Sequence, residues 1–308
     1  MNNKDTNLWQ LIINDEFSKN NLNLVNFRSE HTNFNRFCDW GPNDKTHRYY
    51  KSLMLEMCYY LDDRYNKLIP ELDVGDLHQI LNDIGRINLG SPTTICFKGL
   101  DVSLDYLFCV EEVYFLHTVL QSSVSVTEIG GGYGRTAHAI ISLYSDIEVY
   151  NIIDLPEVLD ISRQYLREVL SNKLFRKLKF IPTEEFLKVA FSDIIINIDS
   201  MQEMHKDIIC QYLNWIPGNC NNFFSKNAIC KYDPSIIGLD VVFENQNEEA
   251  FKSGLCLDII DIYNPIELEL ARSKYRKLYC PNDFSLSESQ RGFGQYGHFE
   301  LSLFTRNT

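Results

Sequence analysis

Val126-Thr-Glu128-Ile-Gly130-Gly-Gly132-Tyr-Gly134-Arg-Thr-Ala-His138 sets four glycines in five positions directly behind a β-branched run. Glycine has no Cβ, so such a segment can turn tightly from a strand into a helix and let a ligand approach the main chain. The flanks agree. Val124–Ile129 reads as a buried strand, and a helix begins near Arg135. The next β-branched run, Glu148-Val-Tyr-Asn-Ile-Ile-Asp154, ends on an acid 24 residues after Gly130, where nucleotide-binding α/β folds place a carboxylate on ribose hydroxyls.

Outward from this core the chain alternates short apolar runs with helical patterns. A helix opens at Pro156, where the missing N–H of proline is harmless, and Val158, Ile161, Leu166, Val169 and Leu170 form its buried stripe. Leu178–Ile181 reads as a strand, Ser192–Ile198 as the clearest buried strand, and Asp207–Trp215 as the helix after it. His298–Phe304 alternates at period two, as a half-exposed antiparallel strand does. The expected fold is therefore α/β and Rossmann-like, a mainly parallel sheet with a late antiparallel strand. Upstream, Tyr50, Leu53, Met54, Met57, Tyr60 and Leu61 give Tyr49–Tyr65 one apolar helical face, Ile87–Pro92 has turn chemistry, and Leu100–Leu120 reads as mostly helical. This predicts an N-terminal helical region over residues 1–100, serving as a lid or a dimerisation surface, and a Rossmann-like domain over 101–308.

A net charge of −13 over 308 residues opposes a nucleic-acid partner, because affinity for phosphate backbones rests on clustered Lys and Arg. The nine cysteines contain no C-x-x-C pair, so neither a zinc site nor a disulfide framework is expected. The first residues lack the apolar stretch of a signal peptide, and no apolar run approaches the roughly 20 residues of a membrane span. A cytoplasmic location is expected.

Two cofactor readings of the glycine segment stand side by side. Gly132-Tyr-Gly134-Arg-Thr-Ala137 fits the dinucleotide pattern G-x-G-x-x-A with Asp154 22 positions on, which would make the chain an NAD(P)-dependent oxidoreductase. Yet Glu128 extends the motif to E-x-G-x-G-x-G, and the run resembles motif I of class I S-adenosylmethionine-dependent methyltransferases. Two further blocks, Ile153-Asp154-Leu-Pro156-Glu157 and Asn197-Ile-Asp199-Ser-Met-Gln202-Glu203-Met204, narrow the resemblance to the bacterial family of sugar O-methyltransferases, over roughly residues 85–308. A methyltransferase-like binding protein without catalysis is the third reading.

The resemblance implies methyl transfer from S-adenosylmethionine, with S-adenosylhomocysteine as product, to a hydroxyl of a sugar or glycoside in a surface polysaccharide or glycosylated metabolite. It also implies a cofactor set of Glu128, Gly130, Gly131, Gly132, Tyr133, Gly134, Asp154, Leu155, Glu184 and Asp199. Glu128 would help hold the cationic amino-acid half of the cofactor. The segment after Ile198 carries acceptor chemistry on its own terms, because open α/β sheets bind ligands at the carboxyl ends of their strands. O-methylation needs a base near the acceptor hydroxyl, and His205 and Glu203 are the candidates, His205 first because imidazole titrates near neutral pH. Ser200, Gln202, Tyr296 and His298 would line the acceptor. Asp199 with Asp193 or Glu203 offers oxygen ligands, but isolated acids are usually solvated or capping residues, and no metal is expected. His31, His47, His78, His117 and His138 read as structural, and a homodimer is a possible assembly.

Overall fold

The computed structural model describes residues 23–29, 44–68, 76–232, 250–293 and 297–307. In chain order the elements are α1 (Asp44–Leu68), α2 (Leu77–Ile84), β1 (Thr94–Phe97), β2 (Leu100–Ser103), α3 (Leu104–Gln121), β3 (Ser125–Ile129), α4 (Arg135–Leu143), β4 (Val149–Asp154), α5 (Pro156–Val169) and α6 (Asn172–Phe175). They continue with β5 (Leu178–Pro182), β6 (Ser192–Ile198), α7 (Lys206–Asn219), β7 (Cys220–Ala228), α8 (Pro265–Leu278), β8 (Phe284–Arg291) and β9 (Phe299–Arg306). Short 3-10 turns occupy Thr183–Lys188 and Met201–Glu203. Contacts group these elements into a helical unit, Asn21–Val124 with Gly131–Pro182, and a sheet unit, Ser125–Gly130 with Thr183–Thr308.

In the helical unit α1 buries Tyr50, Leu53, Met54, Met57 and Leu61, the stripe its sequence predicts, against α3 and β1. The α3 helix is apolar nearly all round and buried on most of its surface, as a helix covered by α1, α2 and α4 must be. Strands β4 and β5 pair in parallel from Tyr150↔Leu178 to Asp154↔Pro182. The mostly helical reading of Leu100–Leu120 holds from Leu104 onward, where α3 begins; Leu100–Ser103 is strand β2, paired with β1 in an antiparallel hairpin. The turn is Lys98-Gly99, whose φ values of 50° and 85° are the positive pair a two-residue hairpin requires.

In the sheet unit the strands run in the order β3-β6-β7-β9-β8. The β3–β6 and β6–β7 pairings are parallel, and β9 is antiparallel to both β7 and β8. The chain is thus of the Rossmann-like α/β class, with two late antiparallel strands where the sequence shows one. Among the described residues no helix is long and apolar enough to cross a membrane.

Candidate active site

The glycine segment passes from the sheet unit to the helical unit between Gly130 and Gly131. In the helical unit the carboxyl end of β4 meets the loop: the Gly132 N–H donates to Asp154 Oδ2 at 2.8 Å and the Leu155 N–H to Oδ1 at 2.7 Å. Burial pushes the Asp154 carboxyl up to about 7, against the pull of these two donors. The glycines differ in what excludes a side chain. At Gly134 a Cβ would lie 2.6 Å from Leu166 Cδ1, so this glycine lets α4 approach α5. At Gly132, where φ is +55°, a Cβ would meet nothing within 4 Å, so the space above this residue is open to a ligand.

Tyr133 turns inward. Its ring packs edge-on against Phe27 and Tyr165 at 5.5 and 4.9 Å, and its hydroxyl donates to Asp105. Its side chain, expected among the cofactor residues, fills the interior of the helical unit. Asp105 is the hub of this network: Arg28 Nη2 reaches both of its oxygens at 2.7 Å and the Ser103 hydroxyl donates at 2.6 Å. Burial raises the Asp105 carboxyl, and Arg28, Ser103 and Tyr133 outweigh it and hold the group below its usual range. Arg28 is fixed in turn by the carbonyls of Ile87 and Leu89 at 2.7 and 2.9 Å. Replacing Asp105 by alanine strands a buried guanidinium, so unfolding free energy should fall by about 3–5 kcal/mol in denaturant titration. A loss below about 1 kcal/mol, the worth of an exposed pair, would contradict the network. Nearby, the buried His138 bonds Tyr106 at 2.5 Å, and burial takes its imidazole down to about 3, the structural role its sequence position suggests.

In the sheet unit the segment after β6 is braced by buried amides. Asn197 Nδ2 donates to the Ile129 carbonyl at 2.9 Å and to Ser200 Oγ at 2.7 Å, and Ser200 Oγ donates to the same carbonyl at 3.2 Å. A Cβ on Gly130 would lie 2.0 Å from Ser200 Oγ, so this glycine is needed to seat the brace. Asn227 joins Asn197 Oδ1 at 2.8 Å and accepts the Gln202 N–H at 3.1 Å, while Gln202 Oε1 accepts the Ala228 N–H at 2.6 Å. The hydroxyl of Ser200 and the side-chain oxygen of Gln202, both expected to line the acceptor, take part in holding this loop. Asp199 sits at φ +56°, a strained conformation for a residue with a Cβ.

The remaining candidates separate by position. Glu128 is buried within β3 opposite Ile196, and Leu155 is the residue before α5. Glu203 is half-buried, whereas His205 is exposed and acts as the N-cap of α7, its Nδ1 accepting the Asp207 N–H at 3.4 Å. Lys231 is a residue that sequence reading missed. It is half-buried, its Nζ donates to the Ala250 carbonyl at 2.7 Å, and burial lowers its ammonium while the Glu203 carboxylate raises it. His298 is buried against Tyr232 and Phe299, with ring centroids 5.0 and 4.8 Å away, and its carbonyl accepts the Ile229 N–H at the end of β7. Glu184 is exposed in the first turn after β5. Tyr296 and His31 lie outside the described residues, as does the side chain of His47.

Residues 103–208 match the family model of the O-methyltransferase domain. The matched stretch holds the glycine segment, Asp154 and the turn after β6. A match to a methyl-transferring family favours the methyl-donor reading of the glycine segment over the dinucleotide one. Similar solved structures include the mitomycin 7-O-methyltransferase MmcR, at 12% identity and TM-score 0.43 over 65% of this chain and 57% of that one. Others are the methyltransferase domain of bacterial CtHen1-C, at 11% identity and TM-score 0.46 over 65% of this chain and 97% of that one, and PigF with SAH, at 12% identity and TM-score 0.41 over 62% and 61%. The chain thus spans little more than half of MmcR. No curated protein matches the sequence. The glycine loop has room for a cofactor at Gly132, whose Cβ position is unfilled while its main-chain N–H is held by the Asp154 carboxylate.

Proposed function

We propose that the chain transfers a methyl group from S-adenosylmethionine to a hydroxyl of a sugar or glycoside. The observation that carries this reading is the approach of the half-buried Lys231 to the loop of Glu203: its Nζ donates to the Gln202 carbonyl at 3.5 Å, where burial lowers its ammonium and the Glu203 carboxylate raises it. A carboxylate accepts hydrogen bonds and an ammonium donates them, a combination suited to neighbouring hydroxyls. The likeness of Asp199-Ser-Met-Gln-Glu-Met204 to the sugar O-methyltransferases supports the same acceptor.

The cofactor supplies an electrophilic methyl group on a sulfonium. In the helical unit Asp154 would accept from the ribose hydroxyls and the open side of Gly132 would admit the ligand to main chain; Glu128 and Asp199 are the residues that the sequence resemblance implies for its amino-acid half. Glu203 takes the acceptor proton, and Lys231 orients an adjacent hydroxyl. What favours Glu203 over His205 is position, since a helix N-cap more than half exposed to solvent holds a proton acceptor loosely. The test is turnover across a panel of glycosides and simple phenols. Methylation of glycosides alone, or with the higher kcat/KM, is expected; a preference for phenols would overturn the sugar reading.

The raised Asp154 carboxyl gives a pH prediction. Ribose hydroxyls hydrogen-bond better to the ionised form, so affinity for S-adenosylhomocysteine should fall by up to about tenfold per pH unit below about 7. The stability of the free protein moves the other way: a carboxyl whose folded pKa is raised favours the fold increasingly as pH drops through about 7. Asp154→Ala should remove both trends and lose on the order of 2 kcal/mol of cofactor affinity at alkaline pH. Calorimetry over this range checks it, and a flat affinity profile in the unmodified protein would place the ribose elsewhere.

A further inference from the structure

In a chain of net charge −13, residues 163–179 hold six cations, Arg163, Arg167, Lys173, Arg176, Lys177 and Lys179, against one acid, Glu168. Three of these arginines line a cleft of about 370 Å³ between α5, α6 and β5, together with Asn172, Phe175 and Phe180. The phenyl rings of Phe175 and Phe180 lie 5.9 Å apart, tilted by 37°. Arg167 stacks over Phe175 and Arg163 over Phe180, each with its guanidinium carbon 4.9 Å from the ring centre. Stacking holds the guanidinium planes in place, so less conformational freedom is lost when they engage an anion. Among the described residues neither Arg167 nor Arg176 has an ion-pair partner. Arg163 meets only the exposed Asp160, and Glu168 is turned to Arg86.

We propose that this cleft is a second ligand site, for a nucleoside diphosphate. Forked guanidiniums match phosphate oxygens in pairs, which a single ammonium cannot do. The stacked phenyl and guanidinium planes continue naturally into a flat base, and the volume is that of a small-ligand cleft. The cleft includes Leu178 at the amino end of β5, while Asp154 pairs with Pro182 at its carboxyl end, so this site is distinct from the cofactor loop.

The experiment is calorimetry on the full chain at low ionic strength with S-adenosylhomocysteine saturating, so that the cofactor site cannot report. Inorganic pyrophosphate is expected to bind, uridine diphosphate to bind about tenfold tighter, and both to weaken at least tenfold in the R167Q/R176Q variant. Both side chains are exposed, and unchanged S-adenosylhomocysteine affinity in the variant verifies its fold. The lysine pair R167K/R176K, which keeps the charge and loses the fork, should fall between the two. Absence of pyrophosphate binding, uridine diphosphate no tighter than pyrophosphate, or affinities unmoved by R167Q/R176Q would each overturn the assignment.

Discussion

Gly132→Val is expected to abolish measurable binding of S-adenosylhomocysteine and leave a folded protein. The two halves of this statement rest on different observations. A side chain at Gly132 starts in open space, because a Cβ there meets nothing within 4 Å. The protein therefore bears only the strain of a β-branched residue at φ +55°, about 1–2 kcal/mol. The ligand bears the rest, since the side chain fills the space through which it reaches the main chain. The control is Gly134→Val, which would drive a side chain into Leu166, 2.6 Å from its Cβ, and should lower Tm sharply. If Gly132→Val binds S-adenosylhomocysteine like the unmodified protein, the cofactor does not lie on this loop.

Glu203→Gln should lower turnover by about a hundred- to ten-thousandfold with S-adenosylhomocysteine affinity unchanged. Glutamine preserves size and hydrogen bonding but cannot accept a proton, so the loss should fall on kcat; a general-base role leaves KM nearly intact. His205→Ala should instead cost on the order of 1 kcal/mol of stability, the worth of an N-cap, with turnover near that of the unmodified enzyme. The opposite result, a kcat collapse on losing His205 and none on losing Glu203, would return the base to the imidazole that the sequence put first.

The residues that sequence could read are those whose neighbours lie close along the chain. Ser192–Ile198 is a run of apolar and β-branched residues buried between parallel neighbours, and its bounds agree with the structure. The loop at Gly130–Gly134, Asp154 at a strand end and Pro156 at a helix start are likewise local signals. Strand β7 was hidden because its inner positions include Ser225, Lys226 and Asn227, whose burial depends on partners such as Tyr275, 50 residues away from Ser225. Strand β8 is mostly exposed and polar, so it lacks an apolar face to detect. Asp105 and Arg28 are 77 residues apart, and nothing in either neighbourhood announces the pair. The same holds for Glu203 and Lys231: the first was legible as an acid after a strand, while the second acquires meaning only where the segments after β6 and β7 come together.

The most direct test of methyl transfer to oxygen is incubation with S-adenosylmethionine carrying an isotopically labelled methyl group, followed by mass spectrometry and NMR of the acceptor. The account predicts one labelled methyl per acceptor, on a sugar hydroxyl oxygen, with S-adenosylhomocysteine formed in equal amount; label on nitrogen or carbon, or none on any glycoside while S-adenosylmethionine is bound, would contradict it.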